Sequence, residues 1–172
     1  EQVQSTLGRK IPEGLEFPEY KAFMDDINPH IMGRFESIYD DPEVADAFIE
    51  SLRDIIHEVD KLNFTGGEPF AQAIVHKVIK MIEEENPENL NIQITTNGSI
   101  LNGYARKLAQ RPNTTFTVSL DSIDPEIYKD LRRRGDLNKV LKHIEELQAY
   151  GIANVGCSFV VSKDNVYTLP DI

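Results

Sequence analysis

The sequence predicts an α/β protein built around a parallel sheet. From residue 61 onward, short apolar segments typical of β-strands alternate with longer amphipathic segments typical of helices. Strands that are separated by helices pair in parallel through right-handed βαβ units. A glycine or polar motif follows each predicted strand, at the end of the sheet where ligands bind in folds of this kind.

The length, charge and hydropathy of the sequence favour a single domain and argue against a nucleic-acid-binding or membrane-spanning protein. The 172 residues, 40% of them hydrophobic, suffice for one domain with a core. The net charge of -11 repels phosphate backbones, and the basic cluster at 132–134 is too short for a nucleic-acid site, so nucleic acid is not expected as a partner. No apolar run approaches the roughly 20 residues that cross a bilayer. We therefore expect a cytoplasmic protein with no membrane partner.

Cys157 is the single cysteine of the sequence. One cysteine excludes an internal disulfide and any multi-cysteine metal site, and its place within a predicted strand indicates a small buried core residue. The histidines His30, His57, His76 and His143 share no metal-ligand spacing. The sequence therefore predicts no metal site built from its own residues.

The chain divides into an irregular lead-in segment and a domain. Residues 1–40 are punctuated by proline and glycine, with one short helix predicted at 18–27. Residues 41–172 carry the alternating pattern. The chain opens at Glu1 without an initiator methionine and closes at Ile172, just after a further helix is predicted to begin, so we expect a fragment of a longer protein.

The predicted domain opens with a helix and continues with strands and helices in turn. The first helix is predicted from Asp41, a candidate N-cap followed by proline, to about Asp60. Its apolar stripe consists of Val44, Phe48, Leu52, Ile55, Ile56 and Val59. The predicted strands are 61–65, 91–95, 115–120 and 155–161. The helical segments that follow them are 70–85, 100–110, 124–150 (in two parts) and 165–172.

Two glycines directly follow the first predicted strand. Gly66 and Gly67 let the backbone approach a ligand closely, because no Cβ intrudes and a positive φ is allowed. Glu68 adds a carboxylate and Pro69 fixes the exit into the helix, so the loop suits an ammonium group. The alternative is a tight turn with a solvated glutamate.

The next strands also end in polar side chains. Asn97 either bonds a ligand or takes the left-handed turn that Asn-Gly favours. Ser119 and Asp121 share a face, where a hydroxyl and a carboxylate suit a ribose diol or a protonated amine; alternatively, they end a strand and cap a helix. Because the carboxyl ends of parallel strands lie side by side, these groups and the segment 162–165 are expected to form one rim.

Taken together, these motifs resemble those of the radical S-adenosylmethionine (radical SAM) superfamily over residues 42–172. The segment 63–69, Asn-Phe-Thr-Gly-Gly-Glu-Pro, is similar to the family's second-strand motif, which receives the methionyl amino group of the cofactor. The segments 94–98 and 118–122 are similar to the ends of the third and fourth strands. The segment 159–165 resembles the fifth strand and following loop of members with a SPASM or twitch extension.

The resemblance implies a partial (β/α)6 radical SAM (TIM-like) barrel, of which the chain supplies parallel strands two to five with flanking helices. It also implies S-adenosylmethionine bound at the carboxyl-end rim. The run 125–141 is similar to the family's next helical region, where an arginine pairs with the cofactor carboxylate; Arg132 matches best, with Arg133 and Arg134 as alternatives. The implied cofactor-binding residues are Gly66, Gly67, Glu68, Pro69, Asn97, Ser119, Asp121, Arg132 and Asn165.

For the intact protein, the resemblance implies an oxidoreductase in which a 4Fe–4S cluster reduces S-adenosylmethionine to give a 5′-deoxyadenosyl radical. The radical would modify a peptide or small-molecule substrate, and a flavodoxin or ferredoxin would donate the electron. The family holds its cluster with three cysteines spaced C-x3-C-x2-C, a motif that this sequence lacks. We expect that motif upstream of Glu1 and expect the chain alone to be catalytically inactive.

Two other classes of function stay open. One is a cluster-free binding module of the same fold, without radical chemistry. The other is a sugar-phosphate or aldol-type barrel, which needs a phosphate-binding glycine loop and a lysine at a strand end. Lys163 is the one candidate lysine, and no glycine loop accompanies it.

Overall fold

The computed structural model describes residues 37–132 and 135–171. The helix predicted at 18–27 and nearly all of the lead-in segment 1–40 lie outside these residues, as do the two arginines that follow Arg132. Within the described part, helices alternate with the strands of one parallel sheet.

Four strands form this sheet in the order in which they occur along the chain. They are β1 (Lys61–Phe64), β2 (Asn91–Thr96), β3 (Thr114–Ser119) and β4 (Asn154–Ser158), and each pairs in parallel with its neighbours. This confirms the predicted α/β class and the parallel sheet. β4 is shorter than the predicted strand 155–161, because the chain leaves the sheet after Ser158 and the Val160 N–H instead bonds the Asp121 side chain.

Helices and short 3₁₀ turns connect the strands. The α-helices among the described residues are α1 (Pro42–Ile55), α2 (Ala73–Glu85), α3 (Gly103–Ala109), α4 (Pro125–Leu131) and α5 (Leu137–Ala149). The 3₁₀ turns there are Ile38–Asp40, Ile56–Glu58, Pro69–Ala71 and Val166–Asp171. Nowhere in the described chain is a helix both long and apolar enough to cross a membrane.

Four helical segments differ from their predicted bounds. The helix predicted to run to about Asp60 ends at Ile55 and is followed by the 3₁₀ turn Ile56–Glu58. The segment predicted as a helix over 70–85 opens with a 3₁₀ turn, so α2 begins later than expected. The helix predicted over 100–110 begins only after Asn102, whose side chain accepts hydrogen bonds from two N–H groups of the first turn of α3. The last predicted helix, 165–172, is a 3₁₀ turn where it is described.

Helix α1 and the turn after it confirm the predicted cap and part of the predicted buried stripe. Asp41 accepts a hydrogen bond of 2.9 Å from the Glu43 N–H. The exposed members of the predicted stripe are Val44 (41% exposed), Phe48 (37%) and Ile55 (50%). The residues of this region that are buried are Ala45, Ile49 and Ile56. Ile56 belongs to the predicted stripe, and its members Leu52 and Val59 are partly buried against the core. The stripe missed Ala45 and Ile49, and the small Ala45 is the kind of residue that a choice of large apolar side chains overlooks.

The helices cover one face of the sheet. The buried strand residues on that face include Ile92, Ile94, Phe116 and Val118. From α2 the core receives Val75, Val78, Ile79, Met81 and Ile82. The remaining residues of each strand face the other way, so that β2 alternates exposed and buried side chains along its whole length. The sheet therefore has one apolar face and one polar face.

Cys157 is exposed, which corrects the prediction of a buried core residue. It lies in β4, which within the described residues has a strand neighbour on one side only. Partial burial of the sulfur raises the pKa of the Cys157 thiol above its usual value. The thiol therefore stays protonated near neutral pH, when it is a poor nucleophile and a poor metal ligand.

Gly98 is a position where the fold requires glycine. Its φ is +72°, and a Cβ there would lie 2.9 Å from the nearest methyl carbons of Val118 and Val140.

We expect Gly98→Ala to lower the free energy of unfolding by about 2–4 kcal/mol, because the effects of backbone strain and overpacking add. Urea denaturation of the purified chain measures this. Gly103→Ala is the control, since a Cβ there meets nothing within 4 Å; equal losses in both variants would contradict the crowding of Gly98.

Candidate functional site

The carboxyl ends of the strands carry the motifs that the sequence singles out. The loop 66–69 follows β1, the pair 97–98 follows β2, Asp121 closely follows β3, and the segment 159–165 follows β4. Because the strands are parallel and paired in chain order, these segments lie along one edge of the sheet. This edge is called the rim below.

The glycines after β1 leave the backbone accessible. Gly66 has a φ of +106°, a conformation that side chains rarely tolerate, and a Cβ built there would meet nothing within 4 Å. Gly66 and Gly67 are both exposed. The peptide groups of this loop can therefore be approached closely by a ligand, as the sequence predicts. Pro69 is buried and begins the 3₁₀ turn that leads away from the rim.

The Glu68 carboxylate joins two loops of the rim. It accepts hydrogen bonds from the Thr96 hydroxyl at 2.8 Å and from the Asn97 N–H at 3.0 Å. It also accepts from the Phe70 N–H at 3.3 Å. Since a carboxylate has about four acceptor positions, most of its capacity is used within the chain. In this arrangement Glu68 holds the loop in place, and its direct contact with an ammonium group stays a prediction.

Thr96 extends this connection toward the helices. Its side chain is buried, and its hydroxyl accepts from the Gly98 N–H at 3.1 Å while donating to Glu68. The Gly98 carbonyl in turn accepts from His143 Nδ1 at 2.7 Å, which requires the proton on that nitrogen. A continuous chain of hydrogen bonds thus runs from the loop after β1 to α5.

The Phe70 carbonyl is held by two side chains. His76 Nε2 lies 2.9 Å from this oxygen and Asn102 Nδ2 lies 3.0 Å from it. The His76 ring stacks on Tyr104, with ring centroids 4.2 Å apart and planes 7° apart. Because Asn102 also caps α3, the start of that helix is fixed to the loop after β1. The loop is therefore braced on both sides.

Asn97 has the turn role that was one of its two interpretations. Its Oδ1 accepts a hydrogen bond of 2.8 Å from the Ser99 N–H. The left-handed conformation belongs to Gly98 and not to Asn97. The Asn97 amide nitrogen makes no hydrogen bond within the described residues, so it can still donate to a ligand.

Asp121 and Arg132 form an ion pair beside the end of β3. Arg132 Nε and Nη2 lie 2.8 Å and 2.7 Å from Asp121 Oδ2. The other carboxylate oxygen accepts from the Val160 N–H at 2.9 Å. Asp121 adopts a φ of +62°, which turns the chain sharply at this point. The structure therefore brings together two predicted site residues, and they bond each other.

Asn165 is fully buried, unlike an open contact residue. Its amide donates to the carbonyls of Asp121 at 2.7 Å and Val160 at 2.9 Å, and its oxygen accepts from the Ser162 N–H at 2.7 Å. Asn165 thus fixes the loop after β4 onto Asp121, and a direct ligand contact stays a prediction. Ser119 is half-buried on the polar face, with its hydroxyl 3.5 Å from that of Ser158.

The described residues contain no group of three or more histidine, cysteine or acidic side chains arranged to hold a metal ion. The single cysteine, Cys157, cannot supply the several thiolates of an iron–sulfur cluster. The residues of this chain therefore do not form a cluster site.

The hydrogen bonds that hold the loops after β1 and β2 are called the bracing network below. Four of its residues were not predicted from the sequence: Thr96, His76, Asn102 and His143. The signal for Asn102 was present, since asparagine before a glycine and an alanine-rich helix is a preferred N-cap. Thr96 could have been found from strand alternation, which places it on the buried face where a hydroxyl needs a partner. The two histidines act through ring nitrogens on distant carbonyls, which no local pattern reveals.

Comparisons with known proteins agree with the geometry. The model of the radical SAM superfamily matches residues 27–170 of the chain. A probable GTP 3′,8-cyclase of Methanocaldococcus jannaschii is 32% identical over 114 residues, which is 66% of this chain and 38% of that protein. The GTP 3′,8-cyclase of Alkaliphilus oremlandii is 35% identical over 118 residues, 65% of this chain and 36% of that protein. The chain thus spans little more than a third of the length of these relatives.

Solved structures share the fold. SuiB of Streptococcus suis superposes with a TM-score of 0.56 at 20% identity, over 74% of this chain and 30% of SuiB. The structure of SuiB bound to S-adenosylmethionine gives a TM-score of 0.54 at 18% identity, over 72% of this chain and 30% of SuiB. SuiB bound to its precursor peptide SuiA gives 0.55 at 20% identity, over 74% and 29%.

Thr96 and Thr95 provide a matched test of the bracing network. Thr96→Val removes the buried hydroxyl, so that Glu68 loses one of its hydrogen bonds and the Gly98 N–H loses its acceptor; we therefore expect a loss of about 1–3 kcal/mol in the free energy of unfolding. Thr95→Val changes an exposed neighbour and should stay within about 0.5 kcal/mol of the parent. Urea denaturation gives both values. Thr96→Ser should restore most of the loss; a Thr96→Val variant as stable as Thr95→Val would contradict the network.

Proposed function

Because the chain belongs to the radical SAM superfamily, we propose that it binds S-adenosylmethionine along the rim. The observation that carries this proposal is the open backbone at Gly66, with its φ of +106°, at the carboxyl end of β1. The methionyl part of the cofactor carries an ammonium and a carboxylate, which need carbonyl and N–H groups at close range. A fold shared with SuiB, which has been crystallised with S-adenosylmethionine, supports this placement.

The residues after β1 and β3 would receive different parts of the cofactor. Gly66 and Gly67 would bond the methionyl amino group through their peptide groups, while Glu68 and Pro69 hold the loop in its conformation. Ser119 would bond a ribose hydroxyl, since its own hydroxyl has one long contact of 3.5 Å within the described residues. The proposed contacts of Gly66 and Gly67 use backbone groups that are exposed in the structure.

Arg132, held in place by Asp121, would bind the carboxylate of the cofactor. A guanidinium has five N–H donors, and Arg132 uses two N–H groups on Asp121, so donors remain for a second carboxylate. The ion pair fixes the direction of the arginine. Asn97 would add a donor from the loop after β2, and Asn165 would contribute chiefly by holding Asp121 in place.

When bound, S-adenosylmethionine supplies the 5′-deoxyadenosyl group that the superfamily uses as its hydrogen-abstracting radical. The residues of this chain would bind and orient the cofactor and keep its reactive end in a fixed place. Since the chain has one cysteine and that cysteine is exposed on β4, no reductive step is assigned to its residues. For the whole protein we propose a radical SAM enzyme.

We propose a peptide or small-molecule substrate for that whole enzyme, with a purine nucleotide as the first candidate. The nucleotide is favoured because relatives that are 32% and 35% identical are named as GTP 3′,8-cyclases. The peptide-bound SuiB carries less weight, because at 20% identity it shares the fold alone.

A second candidate function is a cluster-free binding module of the same fold. It would use the same open backbone at Gly66 and needs no thiolate ligands, of which this sequence offers one, Cys157. The two candidates differ in chemistry and share the cofactor site.

Gly66 and Gly151 allow the cofactor site to be tested with a matched control. Both have positive φ and open space at the Cβ position, but Gly151 follows α5 near the amino end of β4, at the edge of the sheet opposite the rim. We expect Gly66→Ala to weaken S-adenosylmethionine binding at least about tenfold, roughly 1.4 kcal/mol, and Gly151→Ala to leave it unchanged. Calorimetric titration measures the affinities, and urea denaturation should show similar stability losses in both. A parent chain that binds no S-adenosylmethionine would remove the proposal.

The full-length protein encoded by the gene distinguishes the two candidates. After anaerobic reconstitution with iron and sulfide and addition of a reductant, a radical SAM enzyme forms 5′-deoxyadenosine from S-adenosylmethionine, which chromatography detects. Arg132→Gln should slow that formation at low cofactor concentration more than at saturation, because it weakens cofactor binding. Cofactor binding without any 5′-deoxyadenosine would instead favour the cluster-free module.

A further inference from the structure

The face of the sheet that points away from the helices is polar on every strand. Its residues are Lys61 and Asn63 of β1; Asn91, Gln93 and Thr95 of β2; Thr115, Thr117 and Ser119 of β3; Asn154, Gly156 and Ser158 of β4. Parallel sheets are normally covered on both faces, so that their strands read as nearly continuous apolar runs. Barrel interiors are likewise filled by branched apolar side chains. This face is therefore not built to pack a core.

One row of this face crosses all four strands. The register pairs Asn63 with Gln93, Gln93 with Thr115, and Thr115 with Asn154. Neighbouring strands lie about 4.8 Å apart, so these three amides and one hydroxyl form a line of adjacent donors and acceptors. The line is called the amide row below.

The side chains of the amide row make no hydrogen bond within the described part of the chain. The contrast with Asn91, one row nearer the amino end, is informative. Asn91 Nδ2 donates to the carbonyls of Asp60 at 3.0 Å and Asn89 at 3.3 Å, so that amide has a structural role. The amide row has none there, and its groups are free to bond a ligand.

The face also contains a hollow, and few of its strand residues are charged. A hollow of about 270 Å³ is lined by Asn63, Phe64, Thr65, Gln93, Thr95 and Thr117, which is close to the lower size of small-molecule sites. The strand residues of the face include no carboxylate and a single cation, Lys61, at the amino end. A multiply charged group would find no matching set of charges here.

We propose that the amide row binds an uncharged amide or lactam group of the substrate. Side-chain amides offer a donor and an acceptor next to each other, which matches the adjacent N–H and C=O of such a group. The inference rests on the proposed function, because a substrate bound to the amide row would lie next to the proposed cofactor site. Asn63 precedes Gly66 by three residues, a distance of about 10 Å along an extended chain. The same chemistry occurs in a purine nucleoside and in a peptide.

The test is a titration of the isotope-labelled chain followed by NMR, at a concentration where sedimentation shows one species. The variants Asn63→Ala and Gln93→Ala identify the two side-chain amide signals. The probes are guanosine, N-acetylalaninamide and inorganic triphosphate. We expect saturable shifts of both signals with guanosine or N-acetylalaninamide, which distinguishes the two sources, and no shift with triphosphate. Each variant should weaken the effective probe about 3- to 10-fold, as expected for one lost hydrogen bond.

Gln148→Ala is the matched control, because Gln148 is an exposed glutamine on α5, outside the sheet. It should leave the affinity unchanged. Signals that stay in place with both amide probes would overturn the proposal, as would shifts caused by triphosphate. A parallel titration with S-adenosylmethionine reads the backbone signals of Gly66 and Gly98, so that failure of the cofactor site is seen separately from failure of the amide row.

Discussion

The parallel pairing of β1 to β4 in chain order is the constraint on which the rest of the structure depends. Parallel neighbours cannot be joined by a tight turn, so each connection crosses over through helices, and these helices bury one face of the sheet. Every strand consequently ends at the same edge, and residues distant in the chain meet there. Glu68 and Thr96 are 28 positions apart, yet they bond because their loops leave adjacent strands.

Successive side chains of a strand point to opposite faces of the sheet, and this separates polar side chains with a structural role from polar side chains that are accessible. Thr95 and Thr96 are neighbours in sequence with opposite environments: Thr96 is 3% exposed and bonded to Glu68, whereas Thr95 is exposed with no side-chain hydrogen bond in the described chain. A buried hydroxyl without a partner would destabilise the fold, whereas an exposed one has water or a ligand as partner. The groups under the helices therefore brace the rim, and the groups on the open face stay accessible, which is the basis of the proposed recognition.

The sequence predicts the order of the strands and helices and the local chemistry of caps and loops better than it predicts which side chains face the core. The cap at Asp41, the sequence of strands and the glycine loop after β1 follow from residue types and spacing, and they are found as predicted. The prediction for the buried stripe of α1 was right for Ile56 and wrong for Val44, because near the start of the helix the small Ala45 is buried instead. The prediction for Cys157 was wrong because β4 has a strand neighbour on one side only among the described residues, and its residues are less covered than those of an inner strand. The pairing of Arg132 with Asp121 depends on how the chain turns at Asp121 after β3, which no local sequence pattern reveals.

The charged groups of the rim are largely committed to one another. Glu68 is held by Thr96 and Asn97, and Asp121 neutralises Arg132. On the proposals made above, a ligand would be recognised by open peptide groups at Gly66, by the remaining donors of Arg132 and by the uncharged side chains of the polar face. The net charge of -11 opposes the approach of polyanions, so a triphosphate would need cations from outside these strands. A ligand bound as proposed would accordingly be selected by its hydrogen-bond pattern and not by its charge.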